Sequence, residues 1–378
     1  MNKYLIKELM NVNRGSSPRP IIEYLSDSGY RWLKISDFNM YDRYVYETKE
    51  FIKESGLKNT RHLPAGTLIL TNSATPGIPI FLGRDMCLHD GFLYFTNIKE
   101  DIININFLYY WFLYNRDLIV NQANGSVFKN LKKEIVENFE INIPNMDTQL
   151  KIVEVLDNIN SKIELNNKIN NNLQELAKSI YYEKFKDKGN NGKLKDILDL
   201  HRKSVKNKDE SLKYFPVDVL PMNYLITKDG KPNEEAQSSL VEFKKYDILV
   251  GAMRVYFHRV CLATENGITR TTTFVLRPKD NNYLYYSLIT LDKDDFIKYA
   301  NDGSKGSTMP YAVWDNNCNE YEIYVPTASE AKEFNDIVKP LFEIQIINEK
   351  NNRYLEKLRD TFLPKLMNGE IDLDNIEI

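Results

Sequence analysis

The residues of this chain with the clearest potential for chemistry are Lys and Arg side chains clustered in short polar segments. Backbone N–H groups and hydroxyls accompany several of them, and this combination is typical of contacts with phosphate. The run that begins at Arg202 is the strongest candidate, although a solvated loop explains it almost equally well. The residues predicted to contact phosphates or bases are Arg14, Arg19, Lys129, Lys132, Lys133, Arg202, Lys203, Lys206, Lys208, Arg254, Arg259 and Lys305.

Two of these segments have a second interpretation. The segment Gly125–Lys133 is explained nearly as well by a structural turn before a capped helix. The segment Val250–Arg259 places Arg254, His258 and Arg259 beside aromatic residues at a predicted strand edge, which suits the reading of base edges. A satisfied edge of the core is an equally good explanation of that pattern.

No catalytic signature accompanies these cations. The segment Gly303–Thr308 lacks the spacing of a phosphate-binding P-loop, and no HExxH or nucleophile-elbow motif occurs. The Asn-Pro-Pro-Tyr type of tetrapeptide expected of an adenine methyltransferase is also absent. The four His residues form no metal-spaced cluster, and the three Cys residues lack CxxC spacing. Taken over the whole chain, this pattern favours a recognition protein over an enzyme.

Length and charge limit the class of protein further. A chain of 378 residues predicts two or three domains. The net charge of −3 argues at first against nucleic acid, but the acidic excess lies in residues 329–378, which contain 7 Lys+Arg and 11 Asp+Glu. The globular parts are therefore neutral, which permits a basic face. No signal peptide or membrane span is evident, and we expect a cytoplasmic protein.

A long helix is the element most clearly predicted. Residues Thr148–Phe185 contain no Pro or Gly, and apolar residues recur at spacings of three and four. A single helix of this length would extend about 55 Å at about 1.5 Å per residue. Its apolar stripe requires a partner, and adding 182 to each residue number leads to a second such helix at Ser329–Leu366.

The two predicted helices contain polar positions in matching places. Asn166 and Asn170 correspond to Asn348 and Asn352, and all four fall at core positions of a heptad. Buried Asn at such positions costs stability but fixes register and orientation, so we expect the helices to pair with each other. The predicted pairing residues are Leu156, Ile159, Ile163, Asn166, Asn170, Leu173, Val338, Leu341, Asn348, Asn352 and Leu355.

The repeat extends more faintly into the rest of the chain. The segment NFLYY at Asn106–Tyr110 matches NYLYY at Asn282–Tyr286, and Asn124–Ser126 matches Lys305–Ser307. The sequence therefore predicts an internal repeat, in which each copy is a mixed α/β globular domain followed by a long helix. The predicted domains are residues 1–147 and 187–328, the first predicted helical segment is residues 148–186, and residues 329–378 are predicted to form the second helix and a C-terminal tail.

Shorter elements are predicted inside both globular domains. Helices are expected at Ile105–Gln122, with Leu118 on its core face, and at Tyr283–Tyr299. The predicted strands are Trp32–Ile35, Leu68–Leu70, Ile78–Leu82, Phe92–Phe95, Val217–Leu220, Ile248–Ala252, Val255–Ala263 and Thr271–Leu276.

Nearly the whole chain resembles the specificity (S) subunit of a Type I restriction–modification system. The resemblance rests on the duplicated order of domain and helix, on the entry NMDTQLKIVEVLDNI into the first helix, and on the ending LRDTFLPKLMNGEI at Leu358–Ile371. The helical segments are specific to that family, whereas the globular halves vary among its members. The first helix ends in SIYYEKF and lacks an LPKLMNGE-type continuation.

The resemblance implies two target-recognition domains that each read one half of a split, non-palindromic site in double-stranded DNA. Two antiparallel helices would separate the domains and set the number of unread base pairs. Two methyltransferase (M) subunits would dock on the chain and use S-adenosylmethionine, and restriction/translocase (R) subunits would use ATP and Mg²⁺. The chain itself would catalyse nothing. The alternatives are a coiled-coil scaffold that binds other proteins and a self-contained nuclease or methyltransferase, whose motifs are missing.

Overall fold

The structure is a computed structural model that describes residues 2–38, 43–122, 130–205, 211–236, 239–371 and 373. The chain divides into two compact units. Unit 1 contains Met1–Asn160 and Lys357–Ile378, and unit 2 contains Ser161–Glu356. The division falls inside both long helices, so each unit contains a globular part and a portion of each helix.

The long helices extend over Met146–Phe185 and Ala328–Met367, within two residues of the predicted bounds. The side chain of Asn145 accepts the N–H of Thr148 at 2.8 Å and so caps the first helix. A capping box starts the second helix. The Glu330 carboxylate accepts the Thr327 N–H at 2.9 Å, and the Thr327 hydroxyl accepts the Glu330 N–H at 3.3 Å.

The globular part of unit 1 contains two five-stranded sheets and a two-stranded ribbon. The first sheet has the strand order Asn11–Arg14, Phe92–Thr96, Leu68–Thr71, Pro79–Leu82, Tyr44–Val45. The second has the order Leu25–Ser26, Phe51–Ile52, Tyr30–Leu33, Met86–Leu88, Arg61–Leu63. The ribbon pairs Asn2–Leu5 with Glu140–Ile143, and the shorter helices are Ile6–Leu9, Ile105–Tyr114, Arg116–Gln122 and Lys133–Glu137.

Unit 2 repeats the first sheet of unit 1 with one strand fewer. Its order is Leu198–His201, Thr273–Pro278, Ile248–Gly251, Val260–Leu262, and all neighbours are antiparallel. A second sheet contains Lys213–Tyr214, Gly267–Arg270 and Leu240–Phe243, and a ribbon pairs Gly192–Lys193 with Glu322–Ile323. The shorter helices are Leu194–Ile197, Leu284–Leu291 and Asp294–Asp302. The mixed α/β repeat predicted from the sequence is therefore confirmed.

Each unit buries the long helices against its globular part. In unit 1, Trp111 of the helix Ile105–Tyr114 belongs to the same buried cluster as Leu156 and Leu366 of the long helices. In unit 2, the Phe185 ring lies 5.1 Å from Tyr286 and 5.4 Å from Phe334, measured between centroids. Because this apolar and aromatic area is removed from water, burial holds the helices to both globular parts.

Two predicted helices are each broken in two. The first breaks at Asn115, whose side-chain amide donates to the carbonyl of Trp111 at 2.9 Å. The break changes the buried face of the second segment, so Ile119 is buried and Leu118 is 48% exposed, contrary to the prediction. The second breaks at Asp292 and Lys293, between Leu284–Leu291 and Asp294–Asp302.

Two predicted strands of unit 2 are wrong. Val217–Leu220 forms a turn after Pro216, and the Val219 N–H donates to the Pro216 carbonyl at 3.0 Å. In the segment Val255–Ala263 only Val260–Leu262 is a strand, because a single 3₁₀ turn, Val255–Phe257, precedes it.

Candidate nucleic-acid interface

Amide side chains join the two long helices inside unit 2. Asn166 Nδ2 donates to Asn352 Oδ1 at 2.8 Å, and Asn348 Nδ2 donates to Asn170 Oδ1 at 2.9 Å. The residue numbers rise along one helix as they fall along the other, so the helices are antiparallel. Asn166, Asn170 and Asn352 are buried, and Asn348 is half-buried. Paired amides inside an apolar seam penalise any other register, since a shift would leave them unsatisfied.

Of the other predicted pairing residues, Leu156 belongs to the core of unit 1, and Val338 and Leu341 belong to the main core of unit 2. Leu156, Ile159, Ile163 and Val338 are buried, whereas Leu173, Leu341 and Leu355 are half-buried. Leu176, which belongs to the apolar pattern of the sequence, is 47% exposed, and Ala177 is buried beside it. At this point the seam therefore contains the heptad core position Ala177 and excludes the preceding residue, Leu176.

A buried cation attaches the long helix to the globular part of unit 1. Arg43 is 9% exposed, and its Nη1 lies 2.5 Å from Oδ1 of Asp157 on the first long helix. The guanidinium also donates to Asn106 at 2.8 Å and lies 5.1 Å from the ring centroid of Tyr109. Burial lowers the pKa of Arg43, but Tyr110 and Asp157 more than reverse this effect, so the side chain stays charged. Nothing in the sequence pattern pointed to this pair, which joins residues 114 positions apart.

Unit 2 contains a different charged attachment. The carboxylate of Asp292 is 4% exposed and lies 2.7 Å from Nζ of Lys178 on the first long helix. His258 Nε2 lies 3.0 Å from Oδ1 of Asp292, and Asp294 approaches the other ring nitrogen at 3.5 Å. The hydrogen bond to Asp292 raises the pKa of His258 above its ordinary value although the ring is half-buried. The loop that ends at His258 is thus tied to the long helix.

The two predicted arginines of the N-terminal loop lie around one carboxylate. Asp90 Oδ2 lies 3.8 Å from Arg14 Nη2 and 3.9 Å from Arg19 Nη2. Burial opposes the charge on Asp90, yet the hydrogen bond from Ser17, with His89 and Arg14 nearby, holds the pKa of Asp90 below its ordinary value. The Arg14 and Arg19 side chains remain 60% and 83% exposed, so both can still reach a phosphate.

The basic run after residue 200 is paired with acids where the structure describes it. Arg202 forms an ion pair with Asp315, and Lys203 Nζ lies 2.6 Å from Glu242. Lys206 and Lys208 lie outside the described residues. A phosphate would have to compete with these carboxylates, which makes Arg202 and Lys203 weaker candidates than the sequence indicated.

The lysines of Gly125–Lys133 differ in their surroundings. Lys129 lies outside the described residues. Lys133 Nζ lies 3.3 Å from Glu137 one turn along its helix. Lys132 precedes that helix, is exposed, and has no carboxylate partner among the residues that the structure describes.

The remaining three cations lie on neighbouring loops of unit 2. Arg254 has a left-handed backbone with φ of 50°, and the backbone of Lys305 forms an isolated β-bridge with Tyr311. Neither has a carboxylate partner within the described part of the chain. Arg259 instead donates to the carbonyl of Asp218 at 3.0 Å and to that of Leu220, and burial lowers its pKa. Arg259 therefore holds the turn Val217–Leu220, and its base-reading role stays a prediction.

The described residues contain no cluster of three or more His, Cys, Asp or Glu side chains placed to hold a metal ion. All three Cys residues are buried, and burial raises the pKa of each thiol. Within the same described ranges, no helix is both long enough and apolar enough to cross a membrane.

Comparison with known proteins agrees with this arrangement. The family model described as the Type I restriction modification DNA specificity domain matches residues 1–175 and again residues 187–356. The MjaIX specificity subunit of Methanocaldococcus jannaschii, a Type I restriction enzyme component, is 26% identical over 98% of this chain and 93% of its own length. The HindI specificity subunit of Haemophilus influenzae is 21% identical over 67% of this chain and 73% of its own.

A solved structure shares the fold. The S subunit of a Type I restriction–modification system from M. genitalium superposes with a TM-score of 0.59 at 15% identity, covering 97% of this chain and 95% of that chain. The family model covers both halves of the chain, and each half has the same strand order in its main sheet. The chain therefore belongs to the family of Type I restriction–modification DNA specificity subunits.

Proposed function

We propose that this chain reads a bipartite, non-palindromic site in double-stranded DNA, one half-site with each globular part. The observation that supports this proposal is the repeated strand order of units 1 and 2. Two copies of one architecture with different surface residues suit two DNA half-sites of different sequence. We assign the recognition domains to residues 1–147 and 187–328.

We also propose that the helical segments 148–186 and 329–378 set the number of unread base pairs between the half-sites. Antiparallel helices in fixed register have a defined length, because each residue adds about 1.5 Å. The amide pairs Asn166–Asn352 and Asn170–Asn348 support a single register. A spacer that slipped would read half-sites at several separations.

The long helices offer a docking surface for the methyltransferase subunits. In unit 2, Leu165, Ile169 and Leu176 are 50%, 36% and 47% exposed, and their spacing places them on one face of the first helix. On the second helix Ile337 and Ile344 are 47% and 44% exposed. Apolar rows of this kind on a helix surface mark protein–protein contacts. We propose that two M subunits bind here and at flanking surfaces.

Catalysis would belong to the partner subunits in a cytoplasmic complex. The M subunits would bind S-adenosylmethionine and methylate adenine, and R subunits would bind ATP and Mg²⁺ for translocation and cleavage. The chain itself would supply DNA recognition and assembly. The runner-up function is a non-catalytic coiled-coil scaffold, which the exposed apolar rows would also suit.

Methylome sequencing of a host that expresses this chain with its cognate M subunit tests the proposal directly. We expect N6-methyladenine in both halves of one split motif. An active and bound M subunit that modifies no defined motif would contradict DNA reading, and the scaffold function would then be preferred.

A matched insertion tests the spacer. Asn170 also donates to the Tyr224 hydroxyl at 2.9 Å, so a heptad placed after Asn170 would disturb unit 2 itself. Seven residues are therefore inserted after Asn160 and seven after Glu356, where the chain divides into its two units. We expect a longer spacer between unchanged half-sites. A changed half-site sequence, or an unchanged spacer, would contradict the role of the helices.

A further inference from the structure

Two loops of unit 2 are joined into one surface, which we call the aromatic double loop. It consists of Ala252–Arg259 and Lys305–Tyr311. Isolated β-bridges connect Met253 to Tyr311 and Lys305 to Tyr311. The Arg254 N–H donates to the Pro310 carbonyl at 2.8 Å, and the next residue after the second loop, Ala312, donates to Ala252 at 2.8 Å.

The double loop exposes large apolar side chains. Tyr256, Phe257, Met309 and Tyr311 are 51%, 40%, 51% and 49% exposed. The rings of Tyr256 and Phe257 lie 5.0 Å apart between centroids, so they form one projecting pair. Leaving such area in water forgoes the free energy of burial, at about 25 cal/mol per Å² of apolar surface. A cluster of this kind indicates a contact surface.

The backbone of the first loop is strained and held in place. Arg254 and His258 both have a left-handed backbone, with φ of 50° and 53°. A non-glycine residue in this region persists only where the surrounding structure fixes it, and such strain concentrates at functional sites. Here Asp292 holds the His258 ring, and Lys178 of the long helix holds Asp292. The loop tip is thus presented as a rigid element.

The charges around the aromatic pair fit a polyanion. Arg254 and the exposed Lys305 lack a carboxylate partner among the residues that the structure describes, and the Arg259 guanidinium lies 5.8 Å from the Phe257 ring centroid. Flat rings that can stack on bases, beside cations that can reach phosphates, match double-stranded DNA. A protein partner would have to place carboxylates opposite Arg254 and Lys305.

Unit 1 contains a loop at the corresponding position, with a similar backbone conformation and different side chains. The loop Asn72–Gly77 follows the corresponding strand, Ala74 has the same left-handed conformation with φ of 57°, and the Leu131 N–H donates to Asn72 at 2.7 Å. The exposed residues of that tip are Ala74 and Thr75. The same position in the fold therefore carries small residues in one unit and a pair of rings in the other.

We propose that the aromatic double loop is the part of unit 2 that enters the DNA groove. Tyr256 and Phe257 contact and partly unstack one base step of the second half-site, and Arg254 and Lys305 bind the flanking phosphates. Unit 1 reads its half-site through a tip without rings, so the two half-sites are distorted differently. This inference rests on the proposed DNA-reading function and names the element of unit 2 that performs it.

The test uses the full chain assembled with its M subunit, and it measures binding to duplexes that contain the methylated motif. The variant Tyr256→Ser/Phe257→Ser is expected to lower affinity for that duplex by about 10- to 100-fold, as loss of base–aromatic stacking does. Binding to a random duplex is expected to change less than about threefold, because phosphate contacts dominate it. In Arg254→Ala/Lys305→Ala, affinity falls for all duplexes and the salt slope decreases by about 2.

The matched control is Tyr246→Ser. Tyr246 is also an exposed aromatic, 37% exposed with φ of 72°, and it lies beside Lys245 before the start of the strand Ile248–Gly251, whereas the double loop follows the end of that strand. This variant is expected to bind both duplexes like the unaltered chain. A 2-aminopurine at the proposed step should become fluorescent on binding with the unaltered chain and stay quenched with Tyr256→Ser/Phe257→Ser.

The outcomes separate the two proposals. If the unaltered complex does not prefer its motif, the proposed function fails. If it prefers the motif and the double-loop serine variant binds it equally well, this inference fails alone. If Tyr256→Ser/Phe257→Ser loses M-subunit binding but keeps its DNA affinity, the loop makes a protein contact, and this inference is also overturned. In a Trp32→Phe/Trp111→Phe background, Trp314 fluorescence reports folding of unit 2. If Tyr256→Ser/Phe257→Ser unfolds at lower denaturant, Tyr256→Ser alone replaces it, with the same expected direction.

Discussion

The buried ion pair of unit 1 gives the sharpest test of how the globular part is attached to the helix. Replacing Asp157 with Ala leaves the Arg43 guanidinium buried, with two neutral side-chain acceptors, Asn106 at 2.8 Å and the Tyr110 hydroxyl at 3.4 Å. Breaking a fully buried pair costs about 3–5 kcal/mol. Because the Asp157 side chain is 32% exposed, we expect a smaller loss of stability than for a fully buried pair, about 2–3 kcal/mol.

The reverse substitution should be milder. In Arg43→Met an apolar side chain replaces the guanidinium among the rings of Tyr44, Phe81 and Tyr109, and the partly exposed Asp157 carboxylate left behind still reaches water. We expect a cost of about 1–2 kcal/mol. The double variant Arg43→Met/Asp157→Leu removes both charges and should be more stable than Asp157→Ala, since an apolar replacement of a whole buried pair is often neutral.

The assay is urea unfolding followed by Trp fluorescence in a Trp314→Phe background. Trp32 and Trp111 then report unit 1 alone, which matters because a chain of two units need not unfold in one step. A cost below about 1 kcal/mol for Asp157→Ala, or a larger cost for Arg43→Met, would refute the argument that the unpaired buried cation determines the penalty.

Three further results are expected. The pKa of His258 is raised in the folded chain, so its hydrogen bond to Asp292 stabilises unit 2 fully below pH 6.5, and this stabilisation is lost as the pH rises through the folded-state pKa. The decline in Trp314-detected stability above pH 6.5 should therefore disappear in His258→Gln. A decline that persists in this variant points to another titrating group. Asn166→Leu/Asn348→Leu should leave the helices paired while the methylome shows more than one spacer length, and a single unchanged spacer with normal M-subunit assembly would count against register control. Ala substitutions at Arg202 and Lys203 should reduce the salt slope of DNA binding by clearly less than about 2, because carboxylates already neutralise both cations; a full loss of about 2 would show that the ion pairs open on DNA.

The periodic features of this protein could be predicted from the sequence. The first long helix follows from apolar spacing and from the absence of Pro and Gly. The second contains Pro340 and Pro364, so it followed from the apolar spacing and from the offset of 182, which also matched the Asn positions. Local signals of this kind need no knowledge of the rest of the fold, because each helix repeats one spacing over ten turns. The buried strands Leu68–Thr71 and Ile248–Gly251 were found for a similar reason, as short apolar runs after a turn.

The contacts that define the candidate site were decided by the tertiary structure. Arg202 and Lys203 are paired because Asp315 and Glu242, which are distant in the chain, lie beside them, whereas Arg254 has no carboxylate partner among the described residues. The strand predicted across Val255–Ala263 failed because left-handed residues at Arg254 and His258 turn the chain, and Asp292, at the break between two helices, fixes that turn. Charge pairing and strained loops arise from long-range contacts, which residue spacing does not encode.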